Sequence, residues 1–300
     1  MRFDYPRDRI FSRGIGLVLV LVLGGLGATL GGARAAAGGA ALGIAIALWL
    51  EHRSRRRTRR RRRALAAPFP TRWRELLFER YDHFDRLPPE LRSRFEDDLR
   101  IFLAEARITG VEIEATEELR VLVAASAVTV SLGWPDYEWD QLGEVLLYPQ
   151  SFDRDYAFAS DSDTVGEAAG LGTVILSAPA LRESFEDPDD GYHVGIHEFV
   201  HLLDVEQTHL DGIPAGLTPT RSREWLTVME KEMERLRRGK SVLDPYGADE
   251  PEEFLGVACE AFFEIPLLLR RRHREVYTIL AEYFRQDPAA WDDERGLTYD

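Results

Sequence analysis

Residues 14–33 read GIGLVLVLVLGGLGATLGGA, twenty positions without a charge, and after Arg34 a second uncharged stretch covers residues 35–50. At about 1.5 Å of rise per residue the first stretch is long enough to cross a bilayer core of about 30 Å. The second is short for a span and predicts a crossing helped by Trp49 at the interface and a snorkelling Arg53. Gly27/Gly31 and Gly39/Gly43 have the GxxxG spacing that lets helix backbones approach closely. The pattern predicts a transmembrane helical hairpin in residues 1–66, with its turn near residues 31–37.

From residue 67 on, the pattern becomes that of a water-soluble domain, residues 67–300. Residues 64–70 read as a linker stiffened by Pro68 and Pro70. Helical spacing follows over residues 71–81, and again after Pro88 and Pro89, where Leu91, Phe95, Leu99, Phe102 and Leu103 recur every three or four positions. The apolar, Ala-rich stretch 118–132 fits a helix or a buried strand, with the helix favoured. EVLLY (144–148) and TVIL (173–176) predict short strands. Helices are expected over 192–206, 221–238, 251–263 and 266–286, with an irregular polar tail after Asp287. The expected class is α+β, with a small twisted sheet and a helical C-terminal half.

Charge sharpens this division. Residues 1–66 hold 14 Arg against Asp4, Asp8 and Glu51, a net +11; the whole chain carries −14, so the other 234 residues carry −25. Arg2, Arg7, Arg9 and Arg13 precede the first apolar stretch, and nine arginines run from Arg53 to Arg63 after the second. Positive flanks stay cytoplasmic, which predicts an inner (cytoplasmic) membrane location with the body in the cytoplasm and the Arg run against anionic headgroups. A cleaved signal peptide is disfavoured by the long apolar part, the lack of a clean cleavage site before Arg34 and the arginine block behind it. A single span would leave nine arginines outside, against the charge rule. The acidic body argues against nucleic-acid binding by that part. The one cysteine, Cys259, excludes an intrachain disulfide and fits a reducing compartment.

The chemistry concentrates at His197-Glu198-Phe199-Val200-His201. Positions i and i+4 share a helix face, so both imidazoles can meet one metal ion. Glu198, one residue round from His197, can reach a water activated by Zn²⁺ and act as general base without being a ligand. A catalytic zinc needs a third protein ligand. Asp204, Glu224, Glu253 and Glu260 are the candidates downstream. Asp204 is better placed to accept a ligand imidazole's N–H. Glu253 lies in the first turn of a helix opened by Asp249 and Pro251, where acids also suit the helix dipole. Glu260 lies seven residues on, on the same face inside an apolar run, where a buried carboxylate wants a partner such as a ligating histidine. Spacing alone does not separate Glu253 from Glu260. A structural zinc site is disfavoured, because no fourth protein ligand is evident.

The order Leu147-Tyr148-Pro149, Gly172-Thr173-Val174-Ile175-Leu176-Ser177, Asp190-Gly191, HEFVHLLD (197–204), Asp211-Gly212-Ile213-Pro214, Trp225, Asp244-Pro245-Tyr246-Gly247-Ala248 and Pro251-Glu252-Glu253-Phe254 running into Glu260-Ala261-Phe262-Phe263 resembles the Mlc titration factor A family of zinc peptidases. These are gluzincins related to the catalytic domain of anthrax lethal factor. The resemblance covers residues 69–291 and implies a zincin-like metallopeptidase domain with one Zn²⁺, held by His197, His201 and Glu253. It also implies Tyr246 as oxyanion stabiliser and a peptide or protein substrate, with aminopeptidase activity known in the family. The family's association with titrating a transcriptional repressor of sugar uptake implies a second class of role, sequestering a regulator with vestigial hydrolysis. Two positions depart from the family: Ala178 stands where relatives usually have Trp, and His193 where they usually have Asn. Ala178 is expected to reshape the substrate cleft, and His193, sharing the His197 face, to be a polar neighbour. Residues 172–177 are a candidate substrate-binding edge strand. His83, His209 and His273 stand alone on polar or loop stretches, and Asp187, Asp189 and Asp190 read as a solvated loop.

Overall fold

The structure is a computed structural model that describes residues 6–135, 137–150, 172–204 and 211–296. The chain forms two compact units, Met1–Pro68 and Phe69–Asp300. The first is the helical run Pro6–Ala66, broken at Gly31 and Gly32, where Gly32 has φ 69°. Only glycine takes that conformation without strain. A Cβ at Gly27 would strike the Ala35 backbone, one at Gly39 that of Leu23, and one at Gly43 that of Val20. The segments on either side of the break therefore approach through glycine. Leu17, Val18, Leu21, Leu26, Leu30, Leu42 and Leu48 are exposed along the run, which is long and apolar enough to cross a membrane. The helix continues to Ala66, so the expected linker is shorter than residues 64–70: arginines and alanines favour helix until Pro68 ends it.

The second unit has a mixed, mostly helical fold with one small parallel sheet. Its described strands are β1 (Ile108–Gly110), β2 (Glu144–Tyr148) and β3 (Thr173–Ser177), in the order β1-β2-β3. Val145 pairs with Val174 and Leu147 with Leu176, and all four are buried. β3 lies at an edge of the described sheet. The helix expected at 118–132 spans Glu117–Ser131, capped by Thr116, and is buried on all sides from Val121 onward. Its hydroxyls cost little in that position because Ser126, Thr129 and Ser131 each donate to the carbonyl four residues back.

Among the elements that escaped the periodicity are the short helix Asp82–Arg86, β1, and the helix Ala178–Glu186 that leaves β3 directly, capped by Ser177. The expected helix 266–286 is two helices, Pro266–Arg272 and Arg274–Phe284. They divide at His273, whose backbone is non-helical and whose buried ring is held by Glu232 (Nδ1 to Oε2, 2.7 Å) and by Ser241 (Nε2 to Oγ, 3.2 Å). The expected irregular tail contains the helix Pro288–Arg295, because Asp287 caps it and Ala289 is buried. His83 is likewise no polar-loop residue. It is buried against Phe263 and Trp291, ring centroids 5.4 and 5.8 Å away. His209 lies outside the described residues.

Candidate metal centre

The helix Val194–Asp204 forms because its residues are apolar on the side that meets the core: Ile196, Phe199, Val200 and Leu203 are buried. Its start is fixed by two side chains. Ile196 N–H donates to His193 Nδ1 (3.2 Å) and Val194 N–H to Ser184 Oγ (3.1 Å). His193 is thus the helix cap rather than a neighbour on the His197 face, a role its acceptor nitrogen fills and that asparagine would also fill. Burial pushes its pKa down to about 3, which keeps it a neutral acceptor.

One turn apart, His197 and His201 stack edge to face with ring centroids 4.7 Å apart. Glu253 comes from the first turn of a second helix, Pro251–Glu264. Its Oε2 lies 3.0 Å from His197 Nε2 and 4.0 Å from His201 Nε2. One ligand atom from each of the three residues falls within 4.8 Å of the others. Behind His197, Glu260 accepts from Nδ1 (2.6 Å) through one oxygen and from His193 N–H (2.6 Å) through the other. That bond turns Nε2 of His197 toward Glu253. The structure therefore separates the two carboxylates that spacing left level: Glu253 joins the Nε2 side, Glu260 the Nδ1 side.

The electrostatics suit a cation. Burial lowers the pKa of His197, but the charge of Glu260 and the hydrogen bonds His197 donates to Glu253 and Glu260 outweigh it and raise it to about 10. His201 is pushed down to about 3, by burial and by His197 beside it. Burial alone would raise Glu253, yet its hydrogen bond and Coulomb attraction to His197, with His201 and the Tyr246 hydroxyl, bring it below the usual range. Two imidazole nitrogens and a carboxylate oxygen that lie within 4.8 Å of one another are a donor set that fits a divalent transition metal.

The family profile described as glucose-regulated metallo-peptidase M90 matches residues 55–285. The chain belongs to this family. An Mlc titration factor A of Edwardsiella ictaluri is 31% identical over 234 residues, covering 72% of this chain and 85% of the relative. An uncharacterized protein of Synechocystis is 29% identical over 236 residues, covering 74% and 86%. An Mlc titration factor A of Klebsiella pneumoniae is 27% identical over 217 residues, covering 65% and 79%.

In this M90 chain several motif residues hold the site's frame together. Asp204 makes no hydrogen bond to His197 or His201 among the described residues. Its Oδ2 accepts Gly212 N–H (2.9 Å), because the chain returns past the end of the His201 helix there. Gly212 has φ 69°, and a Cβ on it would strike the Pro251 carbonyl. Trp225 Nε1 donates to Gly212 O (2.6 Å). Asp204, Gly212 and Trp225 thus pin the loop against the start of the Glu253 helix, a role that the spacing of DGIP and Trp225 did not reveal. Glu198 is half-buried, and its charge contributes to raising His197. Tyr246 sits in the 3-10 turn Pro245–Ala248, capped by Asp244, with its ring 6.2 Å from that of His197. Glu224 makes a surface ion pair with Arg221 (2.5 Å). Ala178 is the buried first residue of its helix. In the loop before the His197 helix, Asp189 bonds Arg86 (3.1 Å) and Asp190 accepts Tyr192 N–H (2.7 Å), so these acids are partly tied rather than merely solvated.

Proposed function

We propose that this protein is a membrane-anchored zinc metallopeptidase of the gluzincin type, with a zincin-like domain and His197, His201 and Glu253 as the metal ligands. The observation that carries the reading is the convergence of those three side chains from two helices. A Zn²⁺ ion held there would acidify a water and polarise the substrate carbonyl. Glu198 takes the attacking water's proton on its carboxylate and returns it to the leaving amine. The Tyr246 hydroxyl, already beside Glu253, donates to the oxyanion. β3, at the edge of the described sheet, offers its main chain to an extended peptide. In this reading residues 14–33 and 35–50 form a hairpin in the inner membrane. The arginines from Arg53 to Arg63 lie on anionic headgroups, and the catalytic domain faces the cytoplasm.

The test incubates the full-length protein in detergent micelles with mixed short peptides, reads the products by mass spectrometry, and uses Glu198→Gln as control. Products that vanish in the variant support the reading, and their ends distinguish an aminopeptidase from an endopeptidase. Full activity in a zinc-loaded Glu198→Gln protein refutes the mechanism. The name Mlc titration factor A carried by relatives favours a second reading, in which the domain binds and sequesters a transcriptional regulator. A cellular effect that survives Glu198→Gln would favour that reading over hydrolysis.

A further inference from the structure

Glycine is the poorest helix former after proline, yet Gly256 stands in the middle of the helix Pro251–Glu264, between apolar residues that are almost fully buried. A Cβ placed on it would lie 2.8 Å from His197 Nε2 and closer still to Nδ1 and Cε1. The imidazole therefore rests on the bare backbone of the neighbouring helix. Glu253, Gly256 and Glu260 are spaced three and four residues apart and share one helix face. Glu253 meets Nε2 at 3.0 Å, Gly256 lies under the ring, and Glu260 meets Nδ1 at 2.6 Å. Glu260 is almost wholly buried, and its second oxygen holds His193 N–H, at the cap of the helix that carries His197.

We propose that Gly256 and Glu260 are positioning residues that seat His197 and thereby set the metal affinity of the site, a deepening that rests on His197 being a ligand. The two glutamates reach opposite ring nitrogens from one helix only because the ring approaches that helix to backbone distance. Any side chain at 256 lifts the ring away, and Nε2 leaves the position it shares with His201 and Glu253. Loss of Glu260 removes the acceptor that keeps the proton on Nδ1 and releases the ring's rotation about its stem.

The experiment compares full-length wild type, Gly256→Ala, Glu260→Ala, Glu260→Gln and His201→Ala in detergent micelles. Zn²⁺ affinity is read by competition with a chromophoric chelator, ligand geometry by the visible spectrum of the Co²⁺ form, and folding by the thermal midpoint in excess chelator. Gly256→Ala and Glu260→Ala should each weaken Zn²⁺ binding by about 10–100-fold and shift the Co²⁺ bands. Glu260→Gln, which keeps an oxygen for Nδ1–H, should recover part of that loss. The metal-free midpoint of Gly256→Ala shows whether the variant still folds once the methyl displaces the ring from Glu260. Wild-type affinity and an unchanged Co²⁺ spectrum in both Gly256→Ala and Glu260→Ala would overturn the seat. Should Gly256→Ala fail to fold, the pair Glu260→Ala and Glu260→Gln decides alone, and equal affinity in those two overturns it. His201→Ala binding Zn²⁺ as tightly as wild type would overturn the metal reading itself, a result that Gly256 and Glu260 could not produce.

Discussion

His83 should make the body lose stability in mild acid. The ring is buried between Phe263, on the Glu253 helix, and Trp291, and neither nitrogen finds a hydrogen-bond partner among the described residues. Burial, with the Arg86 charge nearby, pushes its pKa down from 6.5 to about 3. Between those values only the unfolded chain takes up the proton. The stability is therefore intact above pH 6.5 and lost as the pH falls toward 3. Integrating from pH 7 to pH 5 at about 1.4 kcal/mol per pH unit, and allowing for partial protonation near 6.5, gives a loss of about 2 kcal/mol from this one residue. His193, shifted in the same direction by burial, adds its own loss. His83→Phe keeps an aromatic ring in an aromatic site and should remove the His83 share. The assay is urea unfolding of the full-length protein in detergent, followed by tryptophan fluorescence, at pH 7 and pH 5. Wild type should lose about 2 kcal/mol more than His83→Phe over that interval. An equal loss in both would refute the reasoning, and would mean that the folded protein accepts a proton on His83.

Gly212→Ala forces a left-handed backbone on alanine and drives its methyl into Pro251. It should cost more than about 1 kcal/mol in the same unfolding assay. Trp225→Phe leaves the Gly212 carbonyl without its Nε1–H donor and should cost about 1 kcal/mol, with little added loss when combined with Gly212→Ala, since both loosen one loop. Zn²⁺ at a hundred times its dissociation constant should stabilise the wild type by about 2.7 kcal/mol, read as a raised thermal midpoint. The same addition should leave His201→Ala unmoved, and a comparable rise there would argue for binding elsewhere.

What the sequence determined by itself is what short-range geometry determines. Two histidines four apart on an apolar stretch must share one face of a helix, and Val194–Asp204 is that helix. The helix Pro89–Glu105 followed from three-to-four spacing, and the helix Glu117–Ser131 and the strands β2 and β3 from local composition. Where an element took its shape from distant partners, periodicity misled. His273 breaks a helix because Glu232 and Ser241 hold its ring, and residues 288–295 coil because Asp287 caps them and the core accepts Ala289. The roles of the carboxylates were likewise beyond local reading. Glu253 and Glu260 lie 56 and 63 residues from His197 along the chain, and either could have faced it until the packing of two helices put Gly256 under the ring. Asp204, close to His201 in sequence, turned instead to Gly212, because the returning loop offered an N–H within reach. Local spacing fixes which side chains share a face of one helix. Which neighbour that face meets is decided by burial of the whole apolar surface at once, and only the tertiary structure records it.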